Sequence, residues 1–132
     1  MKRKQKTVLE LHVVMCEQVR PEAKGTINLI GVYAAGIRAR DPEKPVAMSF
    51  WCNYRVSESW RGLIKFRLVD GDDIVAEDEF DLTDLPHSSG YLNFPPVFVP
   101  GSPKRDVKLQ WTTDTDPDAV WTTTKTVRIT SD

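Results

Sequence analysis

The sequence is short of the residues that usually carry chemistry. Its 132 residues include only two cysteines and two histidines, and no apolar run approaches the ~18 residues that a membrane-crossing helix needs. Cys16 and Cys52 are too few for a disulfide framework. The basic stretch at residues 1–6 leads into an alternating segment containing Glu10 and His12, not into the apolar core of a signal peptide. The expectation is a cytoplasmic protein, off the membrane, whose thiols are buried as small hydrophobes. Metal and nucleophile spacing is also lacking. His12 and Cys16 share a strand face, but four residues of strand hold them roughly 13 Å apart, and His87 lies in a polar loop. No CxxC or HxxxH pair occurs, so no cofactor and no catalytic set is expected. One sign of charge does not dominate either: 18 basic and 19 acidic residues leave a net charge of −1, which gives no global pull toward nucleic acid or an anionic membrane.

What the sequence does have is two-residue periodicity. In residues 46–56, Val46, Met48, Phe50, Cys52, Tyr54 and Val56 alternate with Ala47, Ser49, Trp51, Asn53 and Arg55, the pattern of a strand that buries one side. Residues 7–15 alternate likewise through Leu9, Leu11, Val13 and Met15. So do Ile64, Phe66 and Leu68, then Val107, Leu109 and Trp111, and finally Trp121, Val127 and Ile129. Residues 26–34 are apolar on both sides, which predicts a central strand covered on both faces or bordering a second contact. Residues 73–80 and 91–99 are weaker strands, and Pro95 and Pro96 place the latter at an edge or break it. Gly25 is expected in a hairpin turn with positive φ, and Gly31 at a bulge or beneath a packed aromatic ring. One helical turn is expected around residues 81–85. The length fits one domain at residues 7–132 behind a basic tail at residues 1–6. About eight strands without crossover helices predict an all-β, antiparallel two-sheet β-sandwich of immunoglobulin-like or C2-like architecture, with a closed barrel as the alternative.

The segment Cys16-Glu17-Gln18-Val19-Arg20-Pro21-Glu22, followed by Lys24-Gly25-Thr26-Ile27-Asn28-Leu29-Ile30-Gly31-Val32-Tyr33, resembles the opening of a family of small uncharacterised bacterial or phage β-sandwich proteins. The resemblance is clearest over residues 8–38. It implies a sandwich fold and a bacterial or phage origin, and it transfers no catalytic residue.

Two sets of residues are candidates for function. Asp70, Asp72 and Asp73 surround a glycine turn, and Asp114, Asp116 and Asp118 alternate in a second loop. Oxygen-rich loops of this kind suit calcium in a C2-like module, although Asx turns explain them as well. Trp51 with Arg55, and Trp60 with Arg61, are the second set, as exposed anchors for a protein partner or a second copy of the chain. Trp111 and Trp121 are assigned to the core. Charge is also uneven: residues 70–132 hold thirteen acidic and five basic side chains. Pairing of the acidic 70–84 segment with Arg55, Arg61, Lys65 and Arg67 of the preceding hairpin is the simplest expectation. The functional expectation is a non-enzymatic interaction or accessory module, with calcium or ligand binding through the acidic loops as the alternative. The acidic second half argues against nucleic acid as a partner.

Overall fold

A computed structural model describes residues 9–34, 36–39, 41, 43–57, 60–84, 89–94, 96–113 and 120–131. Among these, ten strands follow one another: β1 (Leu9–Pro21), β2 (Ile27–Val32), β3 (Gly36–Ala39), β4 (Val46–Val56), β5 (Leu63–Asp70), β6 (Asp73–Asp81), β7 (Ser89–Asn93), β8 (Val97–Val99), β9 (Arg105–Thr113) and β10 (Thr122–Ser131). They form two five-stranded sheets. The first runs β2-β1-β4-β7 with β8 also on β4, and the second runs β3-β10-β9-β5-β6. The chain is an all-β sandwich. No helix among the described residues is long and apolar enough to cross a membrane.

The alternation fixes which side of each strand is buried. In β4, Met48, Phe50, Cys52, Tyr54 and Val56 are buried, while Asn53 and Arg55 are exposed. β5 buries Ile64, Phe66 and Leu68 from the opposite sheet, joined by Val107 and Leu109 of β9 and by Val127 and Ile129 of β10. Four phenylalanine rings meet at the centre of this interior. Phe50 and Phe94 lie 3.7 Å apart by ring centroid, Phe66 is 5.3 Å from Phe94, and Phe80 is 5.1 Å from Phe94. Phe50 belongs to one sheet and Phe66 and Phe80 to the other, so the cluster ties the two layers together.

Several expectations need correction. The described strands number ten, not about eight, because residues 91–99 divide into β7 and β8 and because β3 was not foreseen. The sheets are not wholly antiparallel, since β3 runs parallel to β10. Residues 26–34 do not form a central strand: β2 is an edge strand paired only with β1, and its Ile30 and Val32 are 38% and 57% exposed. Gly31 does have a φ of 66°, but the group crowding it is the Glu17 side chain, 2.7 Å from where a Cβ would stand, and not an aromatic ring. Gly25 sits in its turn at a φ of 76°. No helical turn is seen at residues 81–84. Instead the Asp81 carboxylate accepts from the backbone N–H and hydroxyl of Thr83, which holds its pKa below the ordinary value, while Leu85 lies outside the described residues.

Phe66 has no exposed surface and contacts rings from both layers, so its truncation opens a cavity that neither sheet can close alone. Phe66→Ala is expected to lower unfolding free energy by about 3–5 kcal/mol, read from urea unfolding curves. A loss below about 1 kcal/mol would show that the ring cluster does not hold the layers together.

Candidate functional site

The residues opposite those core positions form the outer face of the first sheet, and register shows which of them meet. Val14 of β1 lies opposite Trp51 of β4, Cys16 opposite Ser49, and Glu10 opposite Arg55. On β2, Val32 lies opposite Cys16 and Ile30 opposite Gln18. On the far side of β4, Tyr91 pairs with Asn53 and Phe98 with Ala47. Directly opposed residues share a face, so Val32, Val14, Trp51, Tyr91 and Phe98 all lie on this outer face, with the polar Asn53 opposite Tyr91 and Asn93 opposite Trp51. Val32, Tyr91 and Phe98 are 57%, 55% and 65% exposed. Trp51 is half-buried and stacks on Tyr91 at 6.5 Å with 25° between the rings, and its Nε1–H has no protein acceptor.

Backbone geometry places these side chains. Tyr54, buried in the core, faces Gly90 of β7 in register, and a Cβ on Gly90 would lie 2.6 Å from the Tyr54 hydroxyl. Glycine therefore lets β7 lie against β4, which brings Tyr91 beside Trp51. β8 continues along the same edge after a break between Asn93 and Val97, where the Phe94 N–H donates to the Phe50 carbonyl at 3.1 Å. The break turns Phe98 outward over Ala47 while Val97 and Val99 face the core.

The predicted site residues separate sharply. Trp51 and Arg55 do lie together on this face. Trp60 does not: it is 7% exposed and belongs to the core. Arg61 turns back on its own loop, donating to the carbonyls of Trp60 at 2.7 Å and Ser57 at 3.2 Å, so neither serves as an exposed anchor. Trp121 is also displaced from its expected place in the core. It lies under the Arg67 guanidinium, 4.2 Å from the ring centroid, on the outer side of the second sheet. Arg67 there also donates to Gln110 at 2.7 Å instead of pairing with Glu77, its register neighbour.

The calcium reading loses its first loop. Asp70 is held by Arg105 through both carboxylate oxygens, with side chains only 9% and 14% exposed respectively. Arg105 also donates to the carbonyls of Pro103 at 2.8 Å and Pro100 at 2.7 Å. The carboxylate is thus committed to clamping the 100–104 loop, and Asp72 and Asp73 remain as exposed residues at the hairpin turn. Asp114, Asp116 and Asp118 lie outside the described residues. Among the described residues, no group of three or more His, Cys, Asp or Glu side chains is placed to hold a metal ion.

The thiols are buried and free, on opposite faces of the first sheet. Burial pushes the Cys52 thiol up to about 12, and burial raises Cys16 as well. Tyr33, whose hydroxyl donates to the Ala47 carbonyl at 2.9 Å, is pushed up to about 12 by burial and by the nearby Glu17 and Cys16. These are the reverse of an activated nucleophile. Two open hollows flank the sheets. One of about 460 Å³ includes Lys65, Glu77, Glu79 and Trp121, and one of about 450 Å³ includes Glu17, Tyr33, Arg38 and Lys44. Neither is lined by histidine or cysteine. No family model matches the chain, and no curated protein matches its sequence.

Sequence reasoning did not single out Val14, Tyr91 or Phe98. Its one usable signal was the two-sided apolar character of residues 26–34, where Ile30 and Val32 proved to be the outward pair.

Two expectations follow. Arg105→Ala and Asp70→Ala should each cost about 3 kcal/mol, because either leaves a buried charge unpaired, and the double variant should cost less than the sum; additive losses in a denaturant double-mutant cycle would dissolve the clamp. Raised folded-state pKa values at Cys52 and Tyr33 favour the protonated forms. Their stabilisation is therefore complete below about 9 and is lost as pH climbs from there through about 12. Urea midpoints should fall across that range, and less steeply in Cys52→Ala. An identical slope in that variant would exclude the thiol as a contributor.

Proposed function

We propose that the protein is a non-enzymatic, cytoplasmic interaction module that works through the outer face of its first sheet and recognises protein. The observation that carries the reading is that Val32, Val14, Trp51, Tyr91 and Phe98 share one outer face. Three of them are more than half exposed, although each stands opposite a residue in a regular ladder and could have been polar at no cost to the core. Scattered apolar residues on a surface need no explanation, but a connected group such as Val14, Trp51 and Tyr91 rimmed by charge favours a contact. Here the rim is supplied by Glu10, Arg55 and Arg20, all exposed. Aromatic and arginine side chains together are also the composition of binding hot spots. Two buried thiols with raised pKa values support the absence of nucleophilic chemistry.

Because Tyr91 and Phe98 are exposed, replacing both with serine should change the melting temperature little. The same substitution should abolish specific partner recovery from the native host when the protein is used as bait. Unchanged recovery by the folded variant would rule out this face as the interface.

A further inference from the structure

In the order β2, β1, β4, β7, the seam between β1 and β4 is the midline of the sheet. The outer face differs on its two sides. Toward β2 it is aliphatic, with Ile30, Val32 and Val14; toward β7 and β8 it is aromatic, with Trp51, Tyr91 and Phe98. Charge at one end of the face divides along the same line, with Glu10 on β1 directly opposite Arg55 on β4. Both are exposed.

A two-fold axis laid along this seam relates the two sides to each other. It turns a second copy over so that its β4 lies above the first copy's β1 and its β8 above β2, while its β7, level with residues 10–14 of β1, passes beyond the end of β2. Trp51 then meets the partner's Val14 and Phe98 the partner's Ile30, and Glu10 meets the partner's Arg55 while Arg55 meets the partner's Glu10. We propose that the occupant of this face is a second copy of the chain, in an isologous dimer whose axis follows the β1–β4 seam. The inference rests on the interaction reading above and names its partner. An isologous contact must be self-complementary, and this face is so in its Trp51–Val14 and Phe98–Ile30 contacts and in charge. A net charge of −1 per chain leaves little long-range repulsion between copies. Three strands abreast over about five residues and four abreast over about three, spaced about 4.8 Å apart, present a flat area on the order of 450 Å². That is about half of the ~800 Å² per partner in a standard interface, so the dimer is weak and concentration-dependent.

Sedimentation velocity across the micromolar range tests this. The wild-type protein should pass from monomer to dimer with concentration, and the combined Tyr91→Asp, Phe98→Asp variant should remain monomeric. Charge reversals supply the decisive arm. Arg55→Glu alone sets Glu10 against a second carboxylate across the interface, and Glu10→Lys alone sets two cations together, so each should weaken association about tenfold or more. In an equimolar mixture of the two variants, both contacts become attractive and the dimer should return. A purely intramolecular role for the Glu10–Arg55 pair would not be rescued by mixing. A wild-type protein that stays monomeric, charge variants that associate like wild type, or a mixture that stays dissociated would each overturn the proposal. A wild-type monomer whose serine variant still loses partner recovery would overturn self-association alone and leave the interaction face standing. A dimer that survives in that variant, with recovery unchanged, would overturn both.

Discussion

The meeting of Phe50 and Phe94 with Phe66 and Phe80 between the layers is the constraint on which the rest depends. Hydrophobic attraction has no direction of its own, but a strand gives it one: when Phe50 must face inward, Trp51 must face outward, and a slip of one residue would exchange every side chain of β4 between core and solvent. The same logic on β5 sends Phe66 in and Lys65 and Arg67 out, against Glu79 and Glu77 of β6. The outer faces of both sheets are therefore determined from within. Only what the core leaves over is free of the packing constraint.

Legibility in the sequence followed the same line. Period-two alternation located β4, β5, β9 and β10 because each buries one side completely and exposes the other. It misplaced β2, because an edge strand with apolar residues on both sides gives the pattern of a strand covered on both faces. Only pairing distinguishes the two, and pairing is not written in one strand. β3 was missed because four residues contain too few alternations to show a period. The tryptophans failed for a related reason. Trp60 and Trp121 lie outside the strands, where alternation assigns no face. Trp60 is carried into the core by the crossover from β4 to β5, and Trp121 is held outside it by Arg67. Trp51, inside a strand, was placed on the correct face. The aromatic partners Tyr91 and Phe98 were hidden by the break between β7 and β8, which shifts the inward parity by one residue.

The edges of the two sheets are treated differently, and the difference bears on how the surface is used. β6 ends the second sheet with Asp73, Glu77, Asp78, Glu79 and Asp81, and Asp78 shares the inward side with its register neighbour Phe66. A charge pointing inward on an edge strand discourages another strand from adding to it. The opposite end of the first sheet has no such guard: β2 presents Ile30 and Val32 on the outer face. Acidic residues concentrated in the second half of the chain thus serve as edge protection and, at Asp70, as one half of a buried clamp. Their clustering in sequence does not collect them into one cation site among the described residues.

The core and the outer face are separated by the thickness of one strand. Tyr54 packs inward over Gly90, and this close approach positions Tyr91, the next residue, on the opposite face beside Trp51. A change at Tyr54 or Gly90 would act on the core first and on the face second, by letting β7 move away from β4. A change at Tyr91 or Phe98 removes surface that the core does not use. The outer face can therefore alter in composition without any adjustment of the interior, whereas the interior cannot alter without moving the face.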